Sequence, residues 1–136
     1  MQTAAAFSII SYQFDKVEID LSHFKGEDLS VSFDTQGVFV QEASQYELVF
    51  SIKVGYSEDE KSFAQVRCKG IFKFENVSNL DDIPDFFYTN SIAILFPYVR
   101  AYLSLVTTQA NVPGIILPTY NLSNLKDELR KNTTQK

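Results

Sequence analysis

The chain has 136 residues, of which 45% are hydrophobic and 21% charged, the balance of a globular domain rather than a disordered or fibrous chain. Its net charge of −5 argues against nucleic acid as the main partner, because phosphate backbones are held by basic patches. One cysteine, Cys68, rules out an internal disulfide and any cysteine-cluster metal site.

Charge is divided unevenly. Residues 1–85 hold 15 acids against 7 bases, and residues 86–136 hold 2 against 5. The first half is therefore either a surface for a basic partner or a solvated acidic face. Residues 1–10 lack a positive n-region and have only a short apolar run, so no signal peptide is read there and a cytoplasmic location is expected.

The first half reads as four strands. Ile10, Tyr12 and Phe14 keep one phase, whereas Val17, Ile19 and Leu21 keep the other, so a bulge or bend is predicted near Asp15. Leu29, Val31 and Phe33 alternate next. The run Asp34, Thr35, Gln36, Gly37 then looks like a turn before Val38, Phe39 and Val40. Tyr46, Leu48, Phe50, Ile52, Val54 and Tyr56 share one face of a third strand, and residues 57–60 form a polar hairpin loop. The fourth strand sets Ala64, Val66, Cys68, Gly70, Phe72 and Phe74 against Phe63, Gln65, Arg67, Lys69, Ile71 and Lys73. Short connections between consecutive strands predict a four-stranded antiparallel meander.

Residues 79–84 form a loop, and residues 90–117 carry a single charge, Arg100. A helix this apolar cannot lie with one face in water. Ile92, Phe96, Val99, Leu103 and Val106 make one stripe; Leu95, Tyr98, Tyr102 and Leu105 make a second. Either one stripe covers the chain's own sheet and the other a partner subunit, or the helix is wholly buried in its own domain. The stretch from Ile92 to Val106 falls short of the roughly 20 apolar residues of a membrane span and contains Pro97. Asn111, Pro113 and Gly114 end the helix, and an apolar crossover of Ile115, Ile116 and Leu117 leads to Pro118. A short last helix, capped by Asn121 or Ser123, is expected to present Leu122, Leu125 and Leu129. Residues 1–130 read as one domain and residues 131–136 as a disordered tail.

Catalytic constellations are missing from this pattern. His23, the only histidine, has no evident acid and nucleophile to work with, and Cys68 sits within a strand as a small packed side chain. Glu58, Asp59 and Glu60, and likewise Asp81, Asp82 and Asp85, match no calcium-loop spacing, and the five glycines form no phosphate loop. No enzyme activity, metal or cofactor is expected.

The second half nevertheless carries a recognisable wording. Gly70-Ile71-Phe72, then Ile94-Leu95-Phe96-Pro97-Tyr98 with Arg100, then Val112-Pro113, Leu117-Pro118 and Asn121-Leu122 before a short helix resemble the SecB export chaperones. The resemblance runs from about Leu29 to Leu129. It implies an α+β fold: a four-stranded antiparallel sheet backed by a long apolar helix and a short C-terminal helix, assembled as a homotetramer, a dimer of dimers. It also implies ATP-independent holding of unfolded polypeptides or precursor proteins in apolar grooves, with the SecA motor or an antitoxin as further partner, and neither membrane insertion nor nucleic-acid binding.

On that resemblance the client groove maps to Val31, Phe33, Val38, Val40, Ile115, Ile116, Leu117, Leu122, Leu125 and Leu129. Subunit contacts map to Ala64, Val66, Cys68, Tyr98, Tyr102 and Leu105. A motor-binding surface maps to Asp15, Glu18, Asp20 and Gln65, although Gln65 stands where an acid is expected and the acidic tail of export members is missing. A small-molecule-binding or thioesterase-like α+β protein is the alternative, since its sheet also wraps one apolar helix; it needs a closed pocket with convergent polar groups.

Overall fold

The computed structural model describes residues 6–26, 28–57, 61–115, 117 and 122–136. Five strands, β1 (Ala6–Ile19), β2 (Ser30–Val40), β3 (Gln45–Gly55), β4 (Ala64–Glu75) and β5 (Thr133–Gln135), form one sheet in the order β1-β4-β3-β2-β5. Two helices, α1 (Asp85–Gln109) and α2 (Leu125–Lys131), accompany it. The expected α+β class with a long and a short helix holds, but the simple meander does not. Only β2, β3 and β4 meander; β1 passes over to pair with β4, and β5 pairs parallel with β2, so the sheet is five-stranded and mixed.

The parity change near Asp15 is a bulge. β1 slips register against β4 twice, between Ile9 and Ser11 and between Phe14 and Lys16. Each extra residue restores the phase, so Phe7, Ile9, Tyr12, Phe14, Val17 and Ile19 lie opposite Phe74, Phe72, Gly70, Cys68, Val66 and Ala64. The second bulge also swings Asp15 to the outer face. There its carboxylate accepts a two-pronged bond from Arg67 (2.9 and 3.0 Å), with Lys69 at 3.7 Å bridging onward to Glu47 at 3.5 Å. The Arg67 hydrogen bonds hold the Asp15 carboxyl below the usual carboxylate range.

β2 corrects another expectation. It runs unbroken through Gly37, with Asp34, Thr35 and Gln36 paired to Ser51, Phe50 and Val49. Gly37 is there for space rather than for a turn, because a Cβ at that position would overlap the Tyr46 phenol. Tyr46 is fully buried on β3, and its hydroxyl lies 2.6 Å from that of Thr133 on β5. Residues 131–136 are therefore not a disordered tail: Lys131 closes α2 and Thr133–Gln135 is the fifth strand.

α1 spans 25 residues and begins earlier than its apolar stripe, at Asp85. By length and composition alone it could cross a membrane, contrary to the shorter span read from the sequence. The same properties suit the central helix of a globular core, and α1 occupies that position. Phe87, Ile92, Leu95, Phe96, Val99 and Leu103 are buried against the sheet. Phe87 meets the rings of Phe74, Phe7, Tyr46 and Phe72 at 4.7, 4.8, 4.8 and 5.5 Å between centroids. Leu95 settles over Gly70, where a Cβ would press on its methyl groups.

Two predictions follow from this packing. Gly37→Val forces the buried Tyr46 ring aside and is expected to cost about 1–3 kcal/mol of stability by urea denaturation; an unchanged midpoint would contradict the Gly37–Tyr46 contact. Asp15→Asn is expected to cost about 0.2–1 kcal/mol at neutral pH, since the ion pair is partly exposed. Because the folded Asp15 pKa is depressed, that contribution is present above its unfolded value and fades as pH falls through the folded one. A stability gap between wild type and Asp15→Asn that persists in strong acid would count against it.

Candidate functional site

The helix side of the sheet opens at one end. The segment after β1 turns sharply: the Asp20 side chain accepts from the Ser22 amide at 3.0 Å, starting a one-turn 3-10 helix, Leu21–His23. Phe24 then folds edge-on against buried Phe63, with ring centroids 5.1 Å apart. The Tyr56 hydroxyl takes a hydrogen bond from the Lys25 amide (2.7 Å) and donates to the Gly26 carbonyl (3.2 Å). Gly26 and Asp28 both adopt positive φ, 95° and 66°, and bring Leu29 round to the start of β2.

The facing wall comes from the crossover after α1. Asn111, at φ 64°, ends the helix, and the Ile115 amide donates to the Thr107 hydroxyl at 3.0 Å. That hydroxyl in turn donates to the Leu103 carbonyl at 2.8 Å, so buried Thr107 ties the crossover back to α1. Between the two walls lies an open cavity of about 500 Å³ lined by Phe24, Gly26, Asp28, Leu29, Pro113, Gly114 and Ile115. Among the described lining residues Asp28 alone is charged, and most of the wall they form is apolar carbon or backbone.

The ten groove positions mapped by resemblance divide. Val31, Phe33, Leu122 and Leu125 are half-buried against the core beneath α1, and Ile115, Leu117 and Leu129 are buried in it. Val38 and Val40 stand on the opposite side of the sheet. With β2 continuous through Gly37, residues 38 and 40 alternate away from 31 and 33, so one groove cannot take in all four. Ile116 lies outside the described residues. The cavity's lining also includes Phe24, Leu29 and Pro113, which the mapping does not name. Phe24 and Leu29 are two large apolar residues in a loop marked by Gly26, which was the available signal.

The mapped interface divides similarly. Ala64, Val66 and Cys68 already lie in the chain's own core and are not free for a second subunit; they make room for α1 and β1 instead. Tyr98 and Leu105 are 43% and 54% exposed. Tyr98 stacks on Tyr12 at 4.3 Å and Tyr102 on Phe14 at 4.1 Å, so the second stripe of α1 packs on β1 along one flank and meets solvent along the other. Phe86, 51% exposed, extends that uncovered side to the start of the helix.

Each acid mapped to the motor-binding surface has a nitrogen-bearing neighbour. Asp15 is held by Arg67, Glu18 by Lys16 at 3.4 Å, and Asp20 faces His23 at 3.4 Å. Its hydrogen bonds from Ser22 lower the Asp20 pKa, with His23 adding to the shift. Glu18, Asp20 and Gln65 share a shallow depression with Lys53 and Lys61, so among the described residues its lining is of mixed charge. Burial pushes the Cys68 thiol up to about 11, which makes it a poor nucleophile. Among the described residues no group of His, Cys, Asp and Glu is arranged to hold a metal ion.

Comparison with known proteins places this geometry. The protein MJ0357 of Methanocaldococcus jannaschii is 30% identical over 142 residues, covering 96% of this chain and 91% of its own. The fold matches that of the Mycobacterium tuberculosis SecB-like chaperone Rv1957, solved in complex with a ChAD peptide from the Rv1956 HigA1 antitoxin. That match has a TM-score of 0.69 at 13% identity and covers 85% of this chain and 88% of the other. A protein of unknown function from Streptococcus agalactiae is a more distant match, with a TM-score of 0.50 at 13% identity over 86% of this chain and all of its own. The model of the preprotein translocase subunit SecB matches residues 21–132, from the turn after β1 to the end of α2, and the chain belongs to the SecB family.

Proposed function

We propose that this SecB-family protein is an ATP-independent holding chaperone of the cytoplasm, which takes extended segments of unfolded polypeptide into apolar grooves and performs no catalysis. The observation that carries the reading is the open, mostly apolar cavity between residues 24–29 and 113–115, next to half-buried Val31 at the start of β2. An open apolar trough holds many sequences because apolar burial is non-directional and contributes roughly 25 cal/mol per Å². The antitoxin peptide bound by the mycobacterial chaperone supports a polypeptide as the occupant.

The working unit in this reading is a homotetramer, a dimer of dimers. Phe86, Tyr98 and Leu105 on the uncovered side of α1 supply apolar surface for a second subunit. General or export clients are preferred over a single dedicated antitoxin. SecA is the less favoured partner, because Gln65 stands where the resemblance expects an acid and Asp15 is already paired with Arg67.

Light scattering coupled to size-exclusion chromatography tests both halves of the proposal. The expected species is a tetramer of about 62 kDa, four times 15.5 kDa, co-eluting with an unfolded, slow-folding polypeptide. A monomer that ignores the polypeptide would end the reading. Tyr102→Glu sets a charge beside the uncovered flank and is expected to shift the assembly to smaller species; an intact tetramer would move the interface elsewhere. Leu125→Asp is expected to weaken client binding by roughly tenfold or more, the loss of about 1.4 kcal/mol or more of apolar contact, at unchanged oligomer mass. Full affinity in that variant would take α2 out of the groove.

A further inference from the structure

β5 lies outside the 11-residue β2 but pairs with only Gly37, Val38 and Phe39 of it, in parallel, so among the described residues the rest of that β2 edge has no strand partner. A bare edge of this kind is a template on which another extended chain pairs through its backbone. We propose that β5 is an internal stand-in for client backbone: an extended client segment pairs with the edge of β2, and residues 132–136 leave that edge when it does. The proposal rests on the holding reading above and specifies how the client is gripped.

The way β5 is held supports its exchange. Its attachment is almost wholly polar. The Gly37 amide donates to the Asn132 carbonyl at 3.2 Å, the Lys136 amide to the Phe39 carbonyl at 2.8 Å, and the Gln41 amide to the Lys136 carbonyl at 3.2 Å. Side chains add Asn132 Nδ2 to the Thr35 carbonyl at 3.0 Å, Gln135 Nε2 to Gln41 Oε1 at 3.0 Å, and the Thr133–Tyr46 hydroxyl pair. Residues 132–136 include no apolar side chain, and all but Thr133 are exposed. Backbone bonds net little once the entropy of ordering the segment is set against them, so such a strap opens at low cost.

The seam is also incomplete. Thr35, fully buried on β2, has a hydroxyl without a partner among the described residues, although Asn132 binds the carbonyl of the same residue. A client strand offers the same backbone bonds and, unlike residues 132–136, brings apolar side chains to bury. It can also continue toward the far end of β2, where Leu29 leads into the apolar cavity. Backbone pairing is indifferent to sequence, which suits a holder of many clients.

Two variants and one measurement on the unmodified chain test this. A chain ending at Lys131 frees the β2 edge; Thr134→Pro keeps the full length and disrupts the pairing. If the edge is open for about a tenth of the time in wild type, both variants bind a reduced, carboxymethylated slow-folding polypeptide roughly tenfold more tightly. In the unmodified protein saturated with that polypeptide, hydrogen exchange is expected to show the amides of residues 133–136 opening while those of Gly37 and Gln41 stay protected. If the shortened chain does not fold, Thr134→Pro and the exchange measurement decide. Unchanged or weaker affinity in the folded variants, or continued protection of residues 133–136 at saturation, overturns the proposal. So does a freed edge that only pairs two copies of this chain, seen as doubled mass without tighter client binding. Wild-type binding with no effect of either variant removes this inference alone. No binding by wild type or variants removes the holding reading and this inference together.

Discussion

The seating of α1 on β3 and β4 is the contact on which the rest of the molecule depends. Phe87 fixes one end of the helix in a ring cluster contributed by β1, β3 and β4, and Leu95 settles over Gly70 further along. Small side chains at Ala64, Cys68 and Gly70 let the helix approach, and close packing makes that approach energetically worthwhile. Tyr56 and Phe63 hold one wall of the candidate cavity, while the other wall and the short helix α2 are positioned from this helix. Its C-terminal turn holds the crossover through Thr107, and its first residue, Asp85, accepts from Lys126 at 3.2 Å and from Arg130, anchoring α2. Arg130 also lies over the Tyr88 ring at 5.3 Å, so charge and aromatic contact hold the short helix at one place.

That arrangement leaves the helix with two unlike sides. The side toward the sheet is close-packed and carries no charge. The other side exposes Phe86, Tyr98 and Leu105 with Pro97 and Ala101 between them, a surface poor in the charges that keep exposed helices in water. Apolar surface is thus offered in two places, along α1 and in the cavity beside Leu29. A protein that binds both copies of itself and other chains would need both.

Much of the architecture was legible in the sequence where side-chain alternation is strong. β3 and β4 show period-two patterns over their whole lengths, and the phase change near Asp15 marked a true bulge. The bulge between Ile9 and Ser11 was not legible, since Ile9 and Ile10 are both apolar and either phase reads equally well. Gly37 misled for a different reason. Its role is set by Tyr46, a residue from the neighbouring strand, and local turn propensity cannot report that. A strand unbroken through Gly37 puts Val38 and Val40 on the face away from Val31 and Phe33, which the resemblance had grouped together. β5 has no pattern at all in Thr133, Thr134 and Gln135, and it exists only because an edge was there to pair with. The family landmarks from Ile94 to Asn121 supplied what periodicity could not, although Ala64, Val66 and Cys68 proved to face the chain's own core.

The pairing of β1 with β4 has a consequence for biosynthesis. β2, β3 and β4 can zip together as each leaves the ribosome, because only residues 41–44 and 56–63 separate them. β1 is made before all three and must wait until β4 appears, more than forty residues later, before it has a place in the sheet. During that interval the alternating apolar side chains of this 14-residue strand are exposed, and long-range pairing of this sort closes slowly. Asp15, Lys16 and Glu18 within that stretch are charges of the kind that disfavour pairing with a wrong strand. The charges around the second bulge, where Asp15 pairs across to Arg67 of β4 in the finished sheet, thus also break up the apolar run of β1 before β4 exists.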